Sequence, residues 1–191
     1  TSNGKGSIDE MTFAELRELD FGSYFSKDFN GVTLPTLAEL LTLVKNMNLI
    51  NIEIKPPKKD NDLVKRVIEE IYKFGIEKNS IISCFEPECI RQVKEIDKNL
   101  KTGLLYERGA LGDEIMNFGV TKYCKQLNAD AAHPERVLLT EELVKDLHNN
   151  GIKVNPWTVN LKEDIIKYTS WGCDALITDI PDFCRQVLKE I

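Results

Sequence analysis

Two oppositely charged side chains, Glu53 and Lys55, stand at the end of an apolar run, in residues 51–55 (Asn-Ile-Glu-Ile-Lys). If this run is a β-strand, alternation sends the two isoleucines to one side and the polar residues to the other. A charge that the protein encloses must be paired or must hold a metal ion or a ligand. The alternative is an ordinary edge strand whose polar side faces water, since Glu and Lys are nearly always solvated.

The residues that follow this run favour the first interpretation. Residues 56–61 (Pro-Pro-Lys-Lys-Asp-Asn) end it as a polar loop, and apolar residues then recur at helical spacing. A strand followed by a loop and a helix is a βα unit. In α/β folds the chemistry lies at the C-terminal ends of such strands. Glu53 and Lys55 are therefore candidate functional residues.

The same unit repeats along the chain, which predicts an α/β fold with a parallel sheet. Intervals of about 20 to 30 residues between the strand-like runs are typical of right-handed parallel crossovers. Thr140, followed by Glu141 and Glu142, predicts the start of one of the connecting helices. The six predicted strands are Leu49–Ile54, Ser80–Phe85, Lys101–Tyr106, Ala129–His133, Ile152–Val159 and Cys173–Thr178.

The N-terminal residues break this pattern. Residues 1–35 predict loops with one short helix from Thr12 to Leu19, and a second helix from Thr36 to Met47 leads into the first strand. We predict a single domain over residues 1–191, with 1–35 as a loop and short-helix region and 36–191 as repeated βα units. A closed (β/α)₈ barrel usually takes about 250 residues, so the chain is short by about two such units.

Composition excludes some classes of partner. A net charge of −6 and a pI near 5.1 argue against nucleic acid, whose binding surfaces are strongly basic. No apolar run approaches the roughly 18 residues that a membrane span needs. An odd number of cysteines without a CxxC motif predicts free thiols and favours a cytoplasmic location. The five are Cys84, Cys89, Cys124, Cys173 and Cys184.

In their order and spacing, seven short strings resemble the glycerophosphodiester phosphodiesterase family. The resemblance extends from Thr1 to the end of the chain and corresponds to the C-terminal three quarters of the family's sequence. The strings are Thr1–Gly6, Leu34–Leu37, Asn51–Lys55, Ile81–Phe85, Lys101–Tyr106, Val154–Asn160 and Leu176–Pro181.

The resemblance implies a TIM-type (β/α)₈ barrel, of which this chain supplies about six βα units and lacks the first two strands. It implies hydrolysis of glycerophosphodiesters to an alcohol and glycerol 3-phosphate, with one divalent cation, Ca²⁺ or Mg²⁺, in the barrel mouth. Glu53 matches a metal ligand, as suits a hard cation. Lys55 matches a catalytic group that stabilises phosphate charge. Trp157 resembles the aromatic residue that lines the glycerol side of the family's pocket. Phe85 ends its strand in the same way and is a second candidate for substrate binding.

Each of these roles has a structural alternative. Glu53 and Lys55 could satisfy each other as an ion pair inside the barrel. Trp157 and Phe85 could be barrel packing. These alternatives require no ligand, and the residues alone leave them open.

The chain also departs from the family's pattern. The family's acid and base are two histidines, which would lie upstream of Thr1 together with two further carboxylate ligands. We expect His133 at a strand end to be a structural or rim residue, and His148 to lie on the surface. The 191-residue chain alone is therefore expected to be inactive. The alternative is a truncated, non-catalytic barrel domain that binds phosphate or a partner.

Overall fold

A computed structural model of the chain describes residues 2–56 and 62–191. Within them the chain forms two compact units, one in residues 2–47 and one that comprises residues 48–56 and 62–191. The predicted single-domain organisation stays a prediction.

The first unit contains two short α-helices, α1 (Phe13–Arg17) and α2 (Leu37–Val44). Both begin with a capping box, in which Thr12 and Thr36 each exchange hydrogen bonds with the glutamate three residues later. Arg17 joins the two helices through hydrogen bonds of 3.0 and 3.1 Å to the carboxylate of Glu39. Both predicted helices exist, and each ends two or three residues before its predicted end.

The second unit is built on a parallel sheet whose strands follow chain order. In the described residues the strands are β1 (Ile50–Glu53), β2 (Ser80–Cys84), β3 (Lys101–Tyr106), β4 (Ala131–Pro134) and β5 (Lys153–Val154). Each neighbouring pair is parallel. The predicted α/β class with a parallel sheet is therefore confirmed.

Helices connect the strands and cover one side of the sheet. Where the sheet packs against these helices, its side chains are buried and mostly apolar, as Ile52 and Ile82 are. Thr140 caps the helix Glu141–Asn149 by accepting a hydrogen bond from Leu143 N at 3.2 Å, which confirms the predicted start. The helices of this unit are α3 (Leu63–Lys73), α4 (Pro87–Ile96), α5 (Ala110–Phe118), α6 (Val120–Leu127), α7 (Glu141–Asn149), α8 (Lys162–Ser170) and α9 (Pro181–Lys189).

The predicted strand over Ile152–Val159 is mostly wrong, since regular pairing stops after β5. On the β4 side, Asn155 N and Trp157 N still donate to Ala132 O and Pro134 O, both at 3.0 Å. On the other side, Pro156 has no N–H to donate toward the segment Cys173–Thr178, so no ladder forms there. Pairing resumes as a single parallel bridge between Trp157 and Glu135.

The sixth predicted strand, Cys173–Thr178, is not a regular strand either. The segment is held by separate backbone hydrogen bonds, from Val159 N to Ile177 O at 2.8 Å and from Ile177 N to Pro156 O at 3.0 Å. Its neighbour is the stretch that Pro156 interrupts, so a continuous ladder does not form. The described part of the chain therefore supplies five strands rather than six.

Candidate active site

The register of the sheet places Glu53, Ser83 and His133 on the face opposite the helices. Glu53 pairs with Ser83, and Ser83 pairs with Gly103. Leu105 pairs with His133 on the next strand. Residues that pair across parallel strands point to the same face, so these side chains share one surface, which we call the site face.

Glu53 and Lys55 lie at the C-terminal end of β1 and face each other. Lys55 Nζ lies 3.6 Å from Glu53 Oε1, and the two side chains are 81% and 35% exposed, respectively. The alternation predicted for this strand is confirmed by its burial, since Ile50 and Ile52 are buried while Asn51 and Glu53 are exposed. An exposed ion pair is worth only about 0–1 kcal/mol. Both groups can therefore leave the pair for a ligand at small cost.

The donor set around Glu53 does not by itself complete a metal site. Ca²⁺ and Mg²⁺ take about six to eight oxygen ligands, several of them commonly carboxylates. Within residues 2–56 and 62–191 no group of three or more His, Cys, Asp or Glu side chains is arranged to hold a metal ion. Glu53 has suitable chemistry, but the described residues do not supply the rest of the shell.

Phe85 and Trp157, the predicted substrate-binding residues, form one aromatic wall. Their rings meet edge to face, with centroids 5.5 Å apart at 86°. Trp157 donates a hydrogen bond from its indole nitrogen to the His133 carbonyl oxygen at 2.8 Å. Both aromatic side chains are half-buried, so part of each ring remains open to a ligand.

A recess of about 240 Å³ opens beside Phe85 at the C-terminal edge of the strands. Tyr106 and residues 107–112, the loop from β3 to α5, form the rest of its lining. This loop is tied to the neighbouring strand end, because Arg108 donates its backbone N–H to Glu135 Oε2 at 3.1 Å. Space for a small ligand therefore exists next to the aromatic wall.

His133 lies inside the protein rather than at the rim. Its side chain is 1% exposed, and its Nε2 lies 2.9 Å from Asn155 Nδ2. Burial lowers the pKa of His133 to about 4, so the ring is neutral near pH 7. His148 is partly exposed at the surface, as expected, and its ring contacts Asp174 at 3.0 Å.

Sequence reasoning missed two residues of the site face, Asn155 and Gly103. Asn155 stands two positions before Trp157, a spacing that places both on one face of an extended segment. A glycine inside a strand often marks a close approach by another group. A Cβ added to Gly103 would lie 2.4 Å from His133 Nε2, so the histidine ring occupies the space that a side chain would need.

The buried histidine predicts a pH-dependent stability. Between its unfolded pKa of about 6.5 and its folded pKa of about 4, the unfolded state binds more protons. The contribution of neutral His133 to the free energy of unfolding is therefore fully present above pH 6.5 and is lost as the pH falls toward 4. The expected loss from this group is about 2 kcal/mol between pH 7 and pH 5.

Urea unfolding of the protein and of its His133→Gln variant at both pH values measures this contribution. The variant should lose less stability than the parent protein on acidification, by about 2 kcal/mol. Equal losses in the two proteins would show that His133 does not titrate in this way.

Comparison with known proteins identifies the class to which this fold and site belong. The sequence profile of the glycerophosphoryl diester phosphodiesterase family matches residues 1–183. The chain therefore belongs to this family. It is also similar to a glycerophosphodiester phosphodiesterase of Caldanaerobacter subterraneus, with 35% identity over 196 residues that cover 100% of this chain and 76% of the relative.

Solved structures agree on the fold. A Silicibacter pomeroyi protein, provisionally named a glycerophosphoryl diester phosphodiesterase, has a TM-score of 0.87 at 23% identity. The match covers 100% of this chain and 72% of that protein's chain. An Oleispira antarctica phosphodiesterase in complex with the product sn-glycerol-3-phosphate has a TM-score of 0.79 at 21% identity, over 99% of this chain and 75% of its own. Members of the family are TIM barrels, and the parallel sheet belongs to that architecture.

The described helices contain no segment with the length and apolar character required to cross a bilayer. All five cysteines are free thiols, as predicted, and four of them are buried.

Proposed function

We propose that the protein hydrolyses glycerophosphodiesters to an alcohol and glycerol 3-phosphate, with a divalent cation, Ca²⁺ or Mg²⁺. The observation that carries this proposal is the Glu53–Lys55 pair, 3.6 Å apart at the C-terminal end of a parallel strand in a member of this family. The product bound by the Oleispira antarctica relative supports glycerol 3-phosphate as the product here.

Each group of the site has a role that suits its chemistry. Lys55 carries a positive charge that can stabilise the charge growing on the phosphoryl oxygens. Glu53 offers a carboxylate to a cation, which when bound would neutralise negative charge on the phosphate. The Phe85–Trp157 wall presents an apolar surface to the glycerol moiety.

Proton transfer needs groups that the described residues, 2–56 and 62–191, do not offer at this site. His133 is neutral and buried, and its Nε2 is engaged by Asn155. We therefore propose that the two histidines and two carboxylates typical of the family lie in a segment outside this chain, and we call the protein with that segment the intact protein. General acid–base catalysis contributes about 10²–10⁴-fold, so residues 1–191 alone should not turn over.

The second candidate is a truncated, non-catalytic barrel domain that binds phosphate or a partner. The observation in its favour is the lack of a metal-binding cluster in the described residues. The Glu53–Lys55 pair argues against this candidate, because it contributes little to stability and lies at the same edge of the sheet as the aromatic wall. We therefore favour the enzyme.

Its substrate is a small molecule, and the free thiols support a cytoplasmic location.

Product analysis tests the proposal. The intact protein should convert glycerophosphocholine and glycerophosphoethanolamine to glycerol 3-phosphate and the free alcohol. A chelator should stop the reaction, and added Ca²⁺ or Mg²⁺ should restore it. Release of an alcohol phosphate instead of glycerol 3-phosphate, or turnover that survives the chelator, would contradict the proposal.

Trp157→Ala should act mainly on KM in the intact protein. If the indole holds the glycerol moiety equally in the ground and transition states, its loss raises KM about tenfold and changes kcat little. Steady-state kinetics with two different alcohol groups measures both constants.

Trp171→Ala is the matched control, because Trp171 is a half-buried tryptophan that packs on Tyr168 at the end of α8. This variant should lose stability without a change in KM. If Trp157→Ala lost about 3–5 kcal/mol of stability while its kinetics stayed unchanged, Trp157 would be barrel packing instead.

A further inference from the structure

The orientation of Trp157 depends on the strand beside it. The indole N–H donates to the His133 carbonyl, and the Trp157 backbone N–H donates to Pro134 O at 3.0 Å. Arg136 N in turn donates to Trp157 O at 2.6 Å. The tryptophan is therefore tied by its ring and by both backbone groups to residues 133–136.

The ring of His133 is held from two directions. Beneath it Gly103 leaves space, since an added Cβ would lie 2.4 Å from Nε2 and 2.5 Å from Cε1. Beside it Asn155 Nδ2 donates to Nε2 at 2.9 Å, which puts the ring proton on Nδ1. Asn155 and His133 are 7% and 1% exposed, so neither is free to move into solvent.

Packing alone does not explain the polar pair of His133 and Asn155. In the described part of the chain, His133 Nδ1 and Asn155 Oδ1 are buried without a hydrogen-bond partner. Unsatisfied buried polar atoms are costly, and an apolar pair of similar shape fills a core at lower cost. The polar pair therefore supplies something that packing does not require, namely a fixed orientation of the His133 ring, on the residue whose backbone carbonyl accepts from the indole.

We propose that Gly103, His133 and Asn155 are positioning residues that fix the Trp157 ring in the aromatic wall, and thereby set how tightly the glycerol moiety is held. This inference rests on the proposed function for its consequence in catalysis. The positioning itself does not depend on activity.

Solvent exchange of the Trp157 indole N–H tests the inference in the intact protein. The ¹H–¹⁵N signal is assigned by its disappearance in Trp157→Phe. In the parent protein the indole proton should be protected. Asn155→Leu removes the donor to His133, and Gly103→Ala displaces the histidine ring, so each should speed exchange by up to about tenfold, as expected when a hydrogen bond is weakened.

Two substitutions at residue 133 separate positioning from packing. His133→Gln keeps a side-chain acceptor for Asn155 and should retain most of the protection, whereas His133→Leu should lose it. Ile82→Val is the matched control, because Ile82 is buried on the helix side of β2. This substitution should reduce stability without changing the indole signal.

Unprotected indole in the parent protein would overturn the proposal, as would parent-like protection in folded Asn155→Leu or Gly103→Ala. Equal loss of protection in His133→Gln and His133→Leu would also overturn it. These outcomes do not affect the proposed phosphodiesterase function. An inactive protein whose indole N–H exchanges as expected would overturn only the proposed function.

Discussion

Glu53→Gln should lower kcat/KM for glycerophosphodiesters by about 10²-fold or more in the intact protein. The substitution keeps the shape of the side chain but removes the negative charge that a hard cation requires. Even residues that only support metal ligands cost about 10–100-fold when they are changed, so loss of a ligand should cost at least as much. The concentration of Ca²⁺ or Mg²⁺ that gives half-maximal activity should rise in parallel.

The matched control for this variant is Glu86→Gln. Glu86 is an exposed glutamate that follows Phe85 at the end of the neighbouring strand, and its side chain is not among those that we assign to the site. It should keep the parent activity and the parent cation requirement. If Glu53→Gln retained full activity at saturating cation, Glu53 would not be a metal ligand.

Lys55→Met should lower kcat by about 10²–10³-fold, with a smaller effect on KM. The reason is that a charge which interacts more strongly with the transition state than with the bound substrate affects mainly the chemical step. Stability should change by no more than about 1 kcal/mol, because the ion pair with Glu53 is exposed. Steady-state kinetics and thermal unfolding of the same variant measure both effects.

Lys55→Arg is the control for charge, since arginine keeps the cation but places it on a planar group of different shape. It should retain more activity than Lys55→Met. A parent-like kcat in Lys55→Met would mean that the Glu53–Lys55 pair is structural. A large loss of stability together with unchanged kinetics would lead to the same conclusion.

Local sequence predicted those parts of the fold that depend on local physics. The strand Lys101–Tyr106 has the predicted bounds, and Thr140 caps its helix as the residue types indicate. Alternation at residues 50–53 correctly separated the buried side of β1 from the polar side. The segment Cys173–Thr178 has a strand-like composition, but its pairing depends on a neighbour that Pro156 interrupts, and composition does not carry that information.

The candidate site divides in the same way. The strand pattern selected Glu53 and Lys55, and resemblance to the family gave them roles and drew attention to Trp157. In the structure Glu53 contacts Lys55, and Trp157 contacts Phe85. The burial of His133 could not be predicted, because it depends on the absence of a side chain at Gly103 on another strand. Asn155 was missed because its partner lies 22 residues away along the chain.

The most direct test compares glycerol 3-phosphate release by the intact protein and by residues 1–191 alone, with glycerophosphocholine as the substrate and with Ca²⁺ or Mg²⁺ added. The account predicts cation-dependent turnover by the intact protein and none above background by residues 1–191, with both preparations verified as folded by circular dichroism. Robust cation-dependent turnover by residues 1–191 alone would contradict our assignment of the proton-transfer groups, and no turnover by the intact protein would contradict the proposed function.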